Sequence, residues 1–187
     1  MSDNVGTQSQ VNLRRLHWGC GSITPAGWIN SDLEPGPSVD ISGNILDGLP
    51  LADESIDYIS SQHALQDLRI YDQVRAMSEL RRVLKPGGVL RLSLPDFDRA
   101  MAAYQSGHRD YFMVWDWETI SGNFITHILW YNLSQTLFTY EFAEELLRQA
   151  GFSEVQRVGY RQTVSRFPEI VDLDSREAES FFVEAFK

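Results

Sequence analysis

The sequence predicts an α/β fold: a mostly parallel sheet with helices on its faces and an antiparallel strand near the C-terminal end. Three features of the 187 residues point to it. Strand-like and helix-like runs alternate along the chain, which is the pattern of parallel strands joined by crossovers. A glycine-rich turn directly follows the first strand. A pair of strands, rather than a strand and a helix, closes the sequence.

The elements follow in order. VNLRRLHW ends in a short strand before Gly19, and GWINSDL is a second, with Trp28 and Ile29 in its apolar part. Val39 to Ile41 is a third, very short strand, and SIDYISS, Ser55 to Ser61, is a buried fourth. In YDQVRAMSELRRVL the residues Val74, Met77, Leu80, Val83 and Leu84 fall near one helical face. Lys85-Pro86-Gly87-Gly88 ends that helix, and VLRLSLP is the next strand. Asp96 is placed to cap the helix FDRAMAAY. Thr139 caps and Gly151 stops the helix TYEFAEELLRQAGF. SEVQRVGYRQT and FFVEAFK are the last two strands.

The bulk composition narrows the function classes. A hydrophobic share of 43% and five tryptophans supply a core for one domain, expected over 11–187 behind a polar tail at 1–10. The formal net charge of −10 disfavours nucleic acid and anionic membrane surfaces as partners. No apolar run approaches the ~20 residues of a membrane span. Cys20 is the one cysteine, so an internal disulfide is excluded, which suits a cytoplasmic setting. The first residues lack the charged-then-apolar layout of a secretory signal.

Ligands of such sheets bind at the carboxyl ends of the strands. Gly19-Cys20-Gly21 lies at such an end, where glycines let the chain turn sharply and let a ligand approach the backbone. Asp32 ends the second strand, where a carboxylate can accept both hydroxyls of a ribose. A dinucleotide enzyme needs a third glycine where Thr24 stands, and an acid about 20 positions on. Both requirements fail, which leaves a dinucleotide-dependent oxidoreductase as the weaker alternative.

The spacing also leaves no room for a helix between the first two strands. Ser22 to Gly27 would advance only about 9 Å as helix, but about 20 Å extended. A five-residue strand is about 17 Å long. The helix after the first strand is therefore shortened or missing. The sheet face beside the first two strands would then be thinly covered, and a homodimer could cover an apolar patch there.

LHWGCG, GWINSDL, LPLADESIDYISSQHALQDL, SELRRVLKPGGVLRLSLPD and LLRQAGF together resemble the class I S-adenosylmethionine-dependent methyltransferases. More narrowly, they are similar to a compact group that reads GCG, GWINVDL, LP, VLEH, RVLKPGG and PD in order. In that group the short glycine-to-acid spacing is usual. The resemblance runs from about Leu13 to Phe152 and continues weakly into VEAFK.

It implies a Rossmann-like sheet, S-adenosylmethionine as cofactor and S-adenosylhomocysteine as product. Gly19, Cys20 and Gly21 would pass under the methionine part, Asp32 would hold the ribose, and Leu33 would pack on the adenine. Asn44, Ile45 and Leu46 would flank the adenine, with Gln62 and His63 at the methyl-donor end. The chain departs from the group at His17, where an acid is common, and at Leu65-Gln66-Asp67, where the group has Leu-Glu-His. These departures are the ground for a second alternative, a module that holds the cofactor without transferring the methyl.

His63 is the candidate general base, as a side chain that titrates near neutrality. Asp96 also sits at a ligand edge. The stretch 104–138 is rich in aromatic residues and lies where methyltransferases place substrate-recognition elements. Trp115, Trp117, His127, Trp130 and Tyr131 are its candidate substrate-side residues, suited to a small or medium-sized methyl acceptor such as a sugar or an aromatic compound. A local core beneath a surface segment is the alternative reading of the same residues. His108 and His127 lack metal-ligand spacing, so no metal site is expected.

Overall fold

The computed structural model describes residues 13–187, so the tail expected over 1–10 lies outside the described residues. Seven strands form one sheet: β1 (Arg15–Trp18), β2 (Ile29–Asp32), β3 (Ile41–Ser42), β4 (Ile56–Gln62), β5 (Leu84–Pro95), β6 (Glu154–Val158) and β7 (Ser180–Phe186). Their order is β3-β2-β1-β4-β5-β7-β6. The pairs among β1 to β5 are parallel, and β7 runs antiparallel to both β5 and β6. The expected sheet is thus the observed one. Among the described residues no helix is long and apolar enough to cross a membrane.

Four helices flank the sheet: α1 (Gln73–Val83), α2 (Phe97–Ser106), α3 (Ile120–Leu129) and α4 (Tyr140–Gln149). The caps read from the sequence hold. Asp96 accepts from the Arg99 amide at 3.0 Å, and Thr139 from the Phe142 amide at 3.2 Å. Helix α3 was not expected; Thr119 caps it, accepting from the Gly122 amide.

Lys85 to Gly88 does more than end α1. Leu84 already pairs with Ile56, while Val89 pairs with Tyr58, so the four intervening residues bulge out of the ladder. A Cβ on Gly88 would lie 2.8 Å from the Lys85 carbonyl oxygen and 2.9 Å from that of Asp57, so only glycine fits there.

The two sheet faces are covered differently. On one, Leu16, Ile59, Leu90, Leu92 and Val183 pack against Met77, Leu80, Leu146 and Leu147 of α1 and α4. On the other, Trp28, Tyr58 and Val89 meet Phe167 and Ile170, which belong to the segment 159–179 between β6 and β7. No helix joins β1 to β2, as the spacing requires. The returning C-terminal segment covers part of the face where a crossover helix is absent.

A buried arginine fastens this segment. Arg91 alternates with Leu90 and Leu92 on β5 and so points to the opposite face. Its guanidinium donates to both Asp174 carboxylate oxygens, at 2.7 and 2.5 Å, and to Glu184 at 2.8 Å. It also donates to the carbonyls of Gly159 and Gln162. All three charged side chains are fully buried. Pairing and multiple hydrogen bonds are what make a buried charge tolerable.

Candidate functional site

β1, β2, β3, β4 and β5 all end at one edge of the sheet, and the expected site residues follow those ends. The order reverses between β1 and β4, and that switch point is where open α/β sheets place ligands. Two cavities open there, of about 530 Å3 and about 140 Å3.

The larger is walled by Gly19, Cys20, Gly21, Asp32, Leu33, Asn44, Ile45, Gln62 and His63. These nine were expected together, and the structure brings them together. Leu46 does not join them. It is half-buried and packs against the main core. The Asn44 side chain caps the helical turn that follows it by accepting from the Leu46 amide.

The turn after β1 is held tightly. The Gly19 and Cys20 amides both donate to the Ser31 carbonyl, and the Gly21 amide donates to an Asp32 carboxylate oxygen at 2.7 Å. Gly19 has φ +70°, and a Cβ there would lie 2.2 Å from the Ala64 Cβ. Any side chain would force apart the turn and the end of β4. Gly21 instead faces open space, with nothing within 4 Å of a built Cβ. Ile23 and Leu33, 58% and 62% exposed, give this cavity apolar walls that solvent alone does not favour. Burial lowers His17 below the ordinary histidine value, so its ring is neutral at pH 7; the Ile23 backbone and Asp32 oppose that shift.

The smaller cavity is lined by Asp96, Phe97, His127, Trp130, Leu133 and Phe138, among others. Of the substrate-side residues expected from the sequence, Asp96, His127 and Trp130 are here. Trp115, Trp117 and Tyr131 are not; each is more than half exposed. The Trp117 indole lies along α3 and donates to Thr126, and the Tyr131 hydroxyl donates to Asp116, so both rings are directed away. Phe112, Val114 and Phe124 build a local core with Ala100 and Ala103 of α2, as the alternative reading of the stretch 104–138 has it.

His63, Asp67 and Arg176 line both cavities. His63 adopts φ +50° and its Nε2 is 2.7 Å from the Ser180 hydroxyl. Burial pushes its pKa down to about 3, with the Arg176 charge and His127 acting in the same sense. The ring is therefore neutral at pH 7 but a very weak base, which disfavours the base role expected of it. Asp67 behaves oppositely. It is an exposed residue that lines both cavities, and the partial burial of its carboxyl pushes its pKa up to about 6; the Gln66 amide opposes this and the Asp32 charge adds to it. Arg176 pairs with Glu179 at 3.0 Å and lies over the Trp130 ring.

Sequence reasoning missed Arg176 and Glu179, and named Asp67 only as a departure from a motif. Arg176 comes from a segment with no periodic signal, so its place beside His63 depends on the fold. Asp67 was findable, since it sits five residues past the end of β4.

The methyltransferase domain family model matches residues 25–92. A malonyl-[acyl-carrier protein] O-methyltransferase of Methylococcus capsulatus is 32% identical over 136 residues, covering 70% of this chain and 42% of that protein. The chain spans less than half the length of the curated relatives it matches. The crystal structure of a SAM-dependent methyltransferase from Archaeoglobus fulgidus matches with a TM-score of 0.58 at 12% identity, covering 94% of this chain and 86% of that one. One from Thermotoga maritima matches with a TM-score of 0.57 at 20% identity, covering 93% and 82%. The two structures speak for the fold, and the family model and the curated relative for descent: this chain belongs to the class I S-adenosylmethionine-dependent methyltransferase family.

Proposed function

We propose that the chain binds S-adenosylmethionine in the larger cavity and transfers its methyl group to a small acceptor in the smaller one. The observation that carries this reading is the junction: two cavities of unlike lining share His63, Asp67 and Arg176. The larger cavity fits the cofactor. Its volume lies within the roughly 300–1,000 Å3 of small-molecule sites. Gly21 leaves open space beside the backbone, and the Gln62 side-chain oxygen Oε1 is buried without a partner.

Asp32 would hold the ribose, Leu33 and Ile45 would sandwich the adenine with Asn44 at its edge, and Gly19 to Gly21 would pass under the methionine part. Gln62 offers its orphaned oxygen to a donor such as an ammonium group. When bound, the cofactor supplies an electrophilic methyl group on a positively charged sulfur. The protein's part is to hold the acceptor in line and exclude water, which is where orientation contributes most. His63, anchored on Ser180, shapes the junction. Phe97, Trp130 and Phe138 form an apolar wall for a ring or a sugar face.

Calorimetric titration with S-adenosylmethionine and S-adenosylhomocysteine tests this. The expected result is micromolar binding that Asp32→Ala weakens tenfold or more, about 1.4 kcal/mol. No binding of either compound to the wild type overturns the reading.

A further inference from the structure

Resting on that reading, we propose that Asp67 is the group that receives the proton of the acceptor's attacking atom, and that the acceptor is a compact amine. The geometry at the junction carries this. The backbone around Asp67 is fastened from several sides. The Gln66 side chain donates to the His63 carbonyl, and the Gln135 and Thr136 amides donate to the Gln66 carbonyl. The Gln135 side chain donates to the Asp67 carbonyl at 2.8 Å. The fully buried Gln73 side chain donates to the carbonyls of Leu65 and Leu68 and to Thr136. A segment so restrained fixes where the Asp67 side chain begins, and Asp67 lines both cavities.

Its carboxylate forms no ion pair among the described residues. The other carboxylates of the smaller cavity are engaged. Asp96 caps α2 and lies 3.4 Å from Arg157, and Glu179 pairs with Arg176. Asp67 is thus the cavity's one uncompensated charge, and it is negative.

Other titratable and charged groups line the two cavities with it. They are His17 and Cys20 from β1 and its turn, Asp32 and Glu34 from β2 and beyond, and His63 from the end of β4. Asp96 at the start of α2, His127 of α3, and Arg176 and Glu179 of the 159–179 segment complete them. A carboxyl pushed up to about 6 is ionised at pH 7 yet basic enough to accept a proton, which matches a general base to its working pH.

The step balances. As the amine nitrogen bonds to the methyl carbon, the bond from that carbon to sulfur breaks and its electron pair stays on sulfur. One nitrogen-bound proton passes to a carboxylate oxygen of Asp67. A carboxylate acceptor would bring no proton to remove and would be repelled by Asp67. The size is also set: an apolar cavity of roughly 150 Å3 holds benzene, and this one is about 140 Å3.

Two binding measurements on wild type and Asp67→Asn test the proposal without turnover. The first compares S-adenosylmethionine with S-adenosylhomocysteine from pH 5 to pH 8. The two differ by the methyl group and the positive charge, so effects common to both cancel in their ratio. That ratio is expected to rise by about tenfold as Asp67 ionises, as a unit shift in its pKa requires. In Asp67→Asn the ratio is expected to stay flat over the same range. The second titrates benzylamine, benzyl alcohol and benzoate into the protein saturated with S-adenosylhomocysteine. Benzylamine is expected to bind at least tenfold more tightly than the others, and Asp67→Asn to erase that preference. A flat ratio in the wild type, or a preference for benzoate or benzyl alcohol, or no benzylamine binding, overturns the proposal while leaving the cofactor site standing. Failure of S-adenosylhomocysteine to bind the wild type overturns the cofactor site itself.

Discussion

The two faces of the sheet are held by different physics. One is mainly apolar, with helices α1 and α4 laid on Leu16, Ile59, Leu90 and Leu92. The other carries a smaller apolar cluster around Trp28 and Tyr58, and beside it a fully buried ionic triad of Arg91, Asp174 and Glu184. Non-directional burial tolerates small shifts, whereas a buried ion pair requires its geometry. The helical face therefore supplies stability, and the other face adds position: it fixes Leu173, Ser175 and Arg176 at the cavities.

The largest effect is expected from breaking the ionic face. Asp174→Ala leaves Arg91 with one carboxylate and should cost about 3–5 kcal/mol. Urea unfolding measures that, and calorimetry should show lost S-adenosylhomocysteine binding in the same variant. A loss below about 1 kcal/mol would equate this pair with an exposed one and end the contrast.

On the helical face, Leu147→Ala should cost about 2–5 kcal/mol by leaving a cavity, yet change cofactor affinity less than twofold. If both variants lose stability and binding together, the faces do not divide their roles.

Thr139→Ala removes the α4 cap and should cost about 1 kcal/mol, again without effect on binding. It sharpens the comparison by showing that the helical face can be weakened in small steps.

The smallest effect is expected where the faces meet, at the amino-terminal edge of the sheet. Asp57 is held below the ordinary carboxylate range by Lys85 at 2.7 Å and the Arg14 amide, which outweigh the opposing effect of burial. A carboxyl with a depressed folded pKa adds stability that is present above its unfolded value and is lost as the pH falls through the folded value. Asp57→Asn should flatten the acid limb of stability below about pH 4, read by thermal unfolding from pH 3 to pH 6.

The sequence made the sheet legible because glycine and proline punctuate it and each strand is a short apolar run. That nine of the ten residues expected beside the cofactor line one cavity was legible for the same reason, since they follow strand ends. Leu46 was not, because motif position carries no information on which way a side chain turns. The same limit applies to Trp115, Trp117 and Tyr131: aromatic composition marks a region, but partners such as Thr126 and Asp116 set ring direction. Helix α3 was hidden by Gly122 and Thr126, weak helix formers that pack on or bond to Trp117. The weak basicity of His63 was invisible, since it arises from burial and from Arg176, more than a hundred residues away.

The missing crossover helix also bears on how such a protein can diverge. In most α/β enzymes the loops at the carboxyl edge vary while the scaffold stays fixed. Here the segment 159–179 is loop and scaffold at once, because Phe167 and Ile170 complete a core while Arg176 and Glu179 wall the cavities. Exchanging it to gain a new acceptor would expose Trp28 and strand Arg91. The stretch 107–138 has its own small core and reaches the smaller cavity through His127, Ile128, Trp130 and Leu133. New acceptor preferences should therefore arise by change in that stretch, with 159–179 left intact.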